Sequence, residues 1–390
     1  MPDLSYIIPP VDRELIKKEL KQKHFLRKTN RGNKEIYITT AHLSPNIMRE
    51  IGRLRELSYA TDGGGTGHEV DIDEYDNLPD PYCCKQLFVW SPEDEEIIGG
   101  YRFIHGTNMM RRADGSIATP TAQHFQLSEQ FINDYLPYTV ELGRAFVQPK
   151  YQPSQNLSKG IYSLDNLWDG LGTLALEIPE TLYFLGKVTI YNDMDRLARD
   201  MILYFYQKYF PDRDGLIWPY EPLKIENDYN ELVRLFNGRN YKEDYQILQR
   251  AVRARGCTVP ALVSAYMNLS PSMRYFGACF DHGLPLTSDI GILITISDIN
   301  DDKRSRHMET FLKRNPKFDS RRLFRIDMRR LPWWRKSSEE EAESLRELSE
   351  LKGRQRLREE LREKRKELQL ELKNIKIARR RLKKDDRNDD

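Results

Sequence analysis

Between residues 35 and 315, stretches with the pattern of a strand alternate with stretches patterned as a helix, and this interleaving limits the possible folds most. Residues 35–41 alternate as a first strand should. Ser44 then stands at an N-cap position before a helix reaching about Tyr59, with Ile47, Met48, Ile51, Leu54 and Leu57 along one face. Residues 85–90 and 97–104 read as a hairpin closed by the acidic turn 91–96. A third strong strand covers 139–147, and a loop leads from it to a helix over 164–177. The strand 183–190 and the amphipathic helix 195–209 come next. After a mostly helical stretch (229–270), strand pattern returns at 275–280 and 290–296. The second of these is β-branched and nearly all apolar, as a strand buried in a sheet is. Such a chain folds as an α/β protein, a mixed central sheet with flanking helices.

Composition limits the partners. With 39% hydrophobic residues the chain can bury a core, and a net charge of +2 rules out a polyanion binder acting through overall charge. Cys83 and Cys84 are adjacent, and neither they nor Cys257 and Cys279 show Cys-x-x-Cys spacing, so neither a disulfide framework nor a zinc site is expected. The dispersed histidines give no metal site either. The N-terminus lacks a basic region and an apolar run of signal-peptide length, and no stretch approaches the ~20 apolar residues of a membrane span. A reduced, cytoplasmic, soluble or peripheral protein is expected. Its expected organisation is a basic extension (1–34), a globular domain (35–315), a basic and aromatic linker (316–336) and a charged helical tail (337–390). In the tail Leu361, Leu368, Ile375 and Leu382 recur every seven residues, but Arg358, Arg365 and Arg379 take matching core positions. That thin stripe favours a solvated helix over a coiled coil.

Within the strand 139–147, Glu141 and Arg144 flank Gly143 among apolar residues. Glycine inside a strand often marks a bulge or the close approach of a ligand. The loop 148–160 then leads to a helix N-terminus, where backbone N–H groups can meet a phosphate. An ordinary strand with a surface ion pair fits the same spacing, and spacing alone leaves both open. Arg55, near a helix end, precedes the acidic run 71–76, which suits an amino-acid zwitterion or is simply a solvated loop. Arg102 lies in a central strand, where an unpaired cation is costly. The glycine-rich segment 63–67 lacks the ending of a phosphate-binding P-loop and reads as a mobile loop.

Taken in order, Leu54-Arg-Glu-Leu-Ser-Tyr, Asp73-Glu-Tyr-Asp, Gly100-Tyr-Arg-Phe and Glu141-Leu-Gly-Arg-Ala-Phe-Val resemble the motifs of acyl-homoserine-lactone synthases and ornithine-lipid N-acyltransferases. Leu164-Asp-Asn-Leu-Trp-Asp-Gly-Leu-Gly, Tyr183-Phe-Leu-Gly-Lys-Val and Pro260-Ala-Leu-Val-Ser-Ala-Tyr-Met resemble the aminolipid branch alone, above all the glycine-lipid type. The likeness runs from about 40 to 310. It implies a GNAT-like fold in which the phosphopantetheine arm of an acyl carrier protein lies between splayed central strands. An amino-acid amine, from glycine or ornithine, would attack the thioester, with no bound cofactor and with acyl-CoA as the other conceivable donor.

Carried over by position, Arg55, Asp73, Asp76, Arg102, Glu141 and Arg144 form the polar cluster of that family. Glu141 is assigned as general base, because aminolysis needs a neutral amine. Gly143, Ala145, Phe146, Lys159 and Gly160 are assigned together to the acyl thioester and its phosphopantetheine, with backbone N–H groups near Ala145 and Phe146 placed to hold the thioester carbonyl. Arg144 and Arg102 would steer the carrier protein or hold a carboxylate; simple ion pairing with Asp73 and Asp76 explains the same residues. The inserted 63–67 segment, the long loop and the tail depart from the family pattern. A signal synthase and a silent GNAT-like scaffold are the alternatives. The stretch 321–335, with Arg321, Arg325, Trp333, Trp334 and Arg335, is expected to rest on an anionic membrane; nucleic acid is not the expected partner.

Overall fold

The computed structural model describes residues 3–315 other than 179, 282, 285 and 286. The expected linker and tail, including the 321–335 stretch and the heptad leucines, therefore lie outside the described residues. The strands expected from pattern form one eight-stranded sheet with an additional edge strand. In chain order they are β1 (Phe25–Lys28), β2 (Glu35–Thr39), β3 (Lys85–Ser91), β4 (Glu96–His105), β5 (Thr139–Val147), β6 (Tyr183–Tyr191), β7 (Arg274–Phe280) and β8 (Thr287–Thr295). Their order across the sheet is β1-β2-β3-β4-β5-β6-β8-β7. Every neighbouring pair is antiparallel except β5 and β6, which run parallel.

Helix α1 (Pro45–Thr61) covers one face, its Ile47, Met48, Ile51 and Leu54 packing on Phe88, Trp90, Ile97 and Phe146. The other face carries α2 (Ser163–Glu177) and α3 (Arg196–Tyr209), with α4 (Tyr241–Ala254) packed on α3. There Leu167, Leu171 and Leu174 join Leu87, Val89, Phe103 and Val140 in a second core. Each fully buried aliphatic side chain of this kind contributes about 1.5–3 kcal/mol. Strand alternation thus gives both faces of the central strands an apolar layer.

Residues 3–34 are part of this architecture. They supply β1, and Arg27 and Asn30 reach α2, where Asn30 bonds Asp169 through its backbone N–H and its side chain, each at 2.7 Å. Glu19 does the capping expected of Ser44, accepting from the backbone N–H groups of Asn46 (3.2 Å) and Ile47 (2.9 Å) at the start of α1. The Ser44 hydroxyl instead bonds Thr39 at 2.7 Å. The same cover buries polar residues of α1 that a helical wheel assigns to water. Glu50 grips Arg53 with two bonds (2.8 and 2.6 Å) and accepts from Val11 N at 3.0 Å.

The 63–67 segment is tethered, against the expectation of a mobile loop. Glu56 on α1 accepts from Thr66 N (2.9 Å), Thr66 Oγ1 (2.6 Å), Gly67 N (2.9 Å) and the Tyr6 hydroxyl (2.7 Å). A Cβ on Gly65 would stand 2.5 Å from the Glu56 carboxylate, so only glycine lets the chain come this close. Burial works to raise the Glu56 pKa, but the bonds from Thr66, Tyr6 and Gly67 outweigh it and hold the group below its usual range. Glu56→Ala leaves these donors without their acceptor. A loss of about 2 kcal/mol or more is expected, with faster hydrogen exchange confined to 62–68. Because the native pKa is depressed, the wild-type tether is also lost as pH falls through that value.

Candidate active site

Strands β5 and β6 start side by side and then part. Their parallel pairing runs from Thr139↔Tyr183 to Leu142↔Gly186, although β5 continues to Val147 and β6 to Tyr191. The cause lies on β5. Opposite β4, Arg102 pairs with Gly143 and Gly100 with Phe146, so Arg144 and Ala145 together face Tyr101. This extra residue is a bulge, and Arg144 adopts φ +48°, a left-handed conformation that strains a side chain other than glycine. Sterics demand glycine at Gly99, whose Cβ would stand 2.3 Å from the Phe146 carbonyl oxygen, and at Gly100, where it would stand 2.7 Å from the Leu87 carbonyl oxygen. A Cβ on Gly143 would meet nothing nearer than Arg102 Nε at 3.4 Å, an ordinary contact, so sterics do not require glycine there. A small cleft, partly open to solvent, occupies the parting. Leu142, Gly143 and Ala145 form one wall, Gly186 and Lys187 the other, and Tyr101 lies against it.

On the α1 face beside this cleft a charged cluster is buried. Arg55 is 0% exposed, and it bonds Asp76 Oδ2 (3.0 Å), the Asp71 carbonyl (3.3 Å) and Gln86 Oε1 (2.5 Å). Gln86 in turn donates to Asp76 Oδ1 at 2.8 Å. Arg102 reaches Asp73 (2.5 Å) and Asp76 (3.5 Å), and Arg144 Nε lies 2.9 Å from Asp71 Oδ2. Asp73 and Asp76 are fixed by a reciprocal capping box at the short helix Glu74–Asn77. Burial would raise the Asp76 pKa, yet the charges of Arg55 and Arg102 hold it below the ordinary value. Asp71 is the contrary case: burial raises it despite Arg144, Arg55 and Arg102.

Glu141 belongs to no ion pair recorded among the described residues. It is 4% exposed, and its Oε1 accepts from Thr121 N (2.9 Å) and Thr121 Oγ1 (2.8 Å). Its Oε2 is buried without a hydrogen-bond partner. Burial pushes the carboxyl pKa up; the Thr121 bonds and the charges of Arg102 and Lys187 push the other way. Arg102 Nε is likewise buried without a partner, while Asp71 Oδ2 and Arg144 Nε face each other at 2.9 Å. Natively buried polar atoms are nearly always satisfied, so this concentration marks a place where a polar ligand or water completes the bonding.

The structure therefore brings Arg55, Asp73, Asp76, Arg102, Glu141 and Arg144 together, with Gly143 and Ala145 on the cleft wall. Phe146 packs into the core under α1, where its backbone still follows the bulge. Lys159 and Gly160 have their contacts elsewhere. Lys159 pairs with Asp94, and Gly160 packs where a Cβ would stand 2.5 Å from Pro153 N. Sequence reasoning missed Thr121, Gln86 and Lys187, as well as Tyr59, whose hydroxyl donates to the Ala145 carbonyl at 3.0 Å. Gln86 was detectable, as a polar residue inside an apolar strand. Thr121 sits in an irregular segment with no periodicity to mark it.

A sheet parted beside a bulged central strand, with a buried carboxylate at the parting, defines a GNAT-type acyltransferase, and residues 54–159 match the family model described as acetyltransferase (GNAT) domain. Over 313 residues the chain is 50% identical to a glycine N(alpha)-acyltransferase of Phocaeicola vulgatus, spanning 80% of this chain and 95% of that protein. It is 49% identical over 313 residues to a glycine N(alpha)-acyltransferase of Bacteroides thetaiotaomicron, spanning 80% of this chain and 92% of that protein. The chain belongs to this family of N-acyltransferases, and it is an enzyme. No solved structure matches it. Among the described residues no helix is long and apolar enough to cross a membrane.

Proposed function

We propose that the enzyme moves a long-chain acyl group from an acyl-carrier-protein thioester to the amine of glycine, forming an N-acyl amino acid for aminolipid synthesis. The observation that carries this reading is Glu141 Oε2, a buried carboxylate oxygen with no partner next to the gap between β5 and β6. The relatives' action on glycine supports the choice of acceptor. A narrow gap between strands suits a slender phosphopantetheine arm, whether the arm is borne by a carrier protein or by CoA.

In this reading the amine attacks the thioester carbonyl, forming the C–N bond. The C–S bond then breaks and its electron pair leaves with sulfur. Glu141 takes the proton that the nitrogen sheds and returns it, directly or through water, to the departing thiolate. Backbone N–H groups along the bulge at Ala145 and Phe146 face the developing oxyanion. The ion pairs of Arg55, Arg102 and Arg144 fix the acidic motif against β4 and β5.

Lipid profiling of a bacterial host expressing the full chain tests the reading. A new N-acylglycine is the expected product. If no new lipid forms and a diffusible acyl-lactone signal accumulates instead, the signal-synthase alternative replaces it.

A further inference from the structure

Lys187 is the one charged residue lining the cleft among the described residues. It is the first residue of β6 beyond the last parallel pair with β5, Leu142↔Gly186. Its Nζ bonds Asp289 Oδ2 at 2.6 Å, while Asp281 Oδ2 stands 3.9 Å away, beyond hydrogen-bond reach. Asp289 on β8 is buried, and its Oδ1 accepts from Thr189 at 2.9 Å. The Asp281 carboxylate is occupied by the N–H groups of Gly283 and Leu284. An ammonium has three donors, so Lys187 is anchored by one strong bond and keeps capacity for another acceptor.

The other cations near Glu141 are more heavily committed. Arg55 is fully buried and bonded to Asp76, Gln86 and the Asp71 carbonyl. Arg102 faces Asp73 and Asp76, and Arg144 faces Asp71 and Asp73. Glu141 pairs with Leu185, and Lys187 lies two residues further along β6, so Glu141 and Lys187 project from the same sheet face. Strand spacing and rise put their Cα atoms on the order of 8 Å apart, enough for a small acceptor between the two side chains. In an α-amino acid one carbon separates the amine from the carboxylate. The cation that takes the carboxylate must therefore stand close to the base that takes the amine proton.

We propose that Lys187 binds the carboxylate of the amino-acid acceptor, with Asp289 as its positioning residue. This assignment makes Lys187 the group that distinguishes an amino acid from a plain amine. It rests on the acyl-transfer reading above.

The test is steady-state kinetics of the full chain with an acyl-carrier-protein thioester, comparing glycine with glycinamide, which carries no carboxylate. Wild type should favour glycine by about 10- to 100-fold in kcat/KM, the range of one charge-assisted hydrogen bond. In Lys187→Met that preference should largely vanish through a higher KM for glycine, with the KM for the acyl donor unchanged. Lys187→Arg should restore most of it. If Lys187→Met keeps the preference, or if both KM values and kcat change together as in a merely structural ion pair, the assignment is wrong. A wild type that acylates neither amine overturns the underlying function instead. Thermal melts of each variant separate misfolding from lost recognition, and Lys187→Arg provides the folded control.

Discussion

Replacing Glu141 with glutamine is expected to lower kcat by about 10²- to 10⁴-fold, the usual contribution of a positioned general base, while the protein stays folded. Glutamine keeps an Oε1 that can accept both Thr121 bonds, so the pocket wall is preserved. The loss is chemical, because an amide cannot take the proton of the attacking amine. The pH profile provides an independent check. Burial holds the Glu141 carboxyl above its ordinary value of 4.5, and only the ionised form is a base. Wild-type activity should therefore fall as pH drops through that raised pKa, and the residual activity of Glu141→Gln should lack this acid limb. The stability effect has the opposite sense to that of a salt-bridged carboxylate. A raised native pKa favours the fold at low pH, and this contribution is lost as pH rises through it. Above that pH the glutamine variant should be at least as stable as wild type in urea unfolding.

Arg55→Met is expected to destabilise the protein by about 3–5 kcal/mol, as removing one partner of a buried ion pair does. Both Arg55 and Asp76 are 0% exposed, and the guanidinium also bonds Gln86 and the Asp71 carbonyl. Without it Asp76 keeps Gln86, the Asp73 N–H at 3.3 Å and a longer contact to Arg102 at 3.5 Å, too little to offset its desolvation. The urea midpoint should fall with an unchanged slope. Adding Asp76→Asn should recover part of the loss, because it removes the uncompensated charge. If Arg55→Met proves as stable as wild type, the cluster is not the tight electrostatic unit that its geometry implies.

These two variants divide the polar motif, which from the sequence alone allowed either a catalytic or an ion-pair explanation for all its members. Arg55, Asp73, Asp76, Arg102 and Arg144 do pair with one another, Arg144 more closely with Asp71. Glu141 stands apart, bonded to a threonine and carrying one unsatisfied oxygen. The order of strands and helices was readable because alternation and helical spacing report burial directly, and the ordered motifs named polar residues that the fold brings together. What stayed hidden depends on contacts distant along the chain. Glu19 caps a helix that begins at Pro45, and Thr121 reaches Glu141 from a stretch without periodicity. The glycine loop at 63–67 looked mobile because nothing local shows that Glu56 pins it. The parting of β5 from β6 depends on a bulge opposite Tyr101, a feature of pairing across strands that a single strand's sequence does not express.

The central claim, acyl transfer to an amino-acid amine at the β5–β6 parting, is tested most directly by mixing the purified full chain with a long-chain acyl-carrier-protein thioester and isotopically labelled glycine. Mass spectrometry and a thiol assay then follow the product and the released carrier. The account predicts labelled N-acylglycine formed in equal amount to free carrier thiol in wild type, and almost none with Glu141→Gln. Wild-type thiol release without labelled amide, or undiminished amide formation by the glutamine variant, would contradict it.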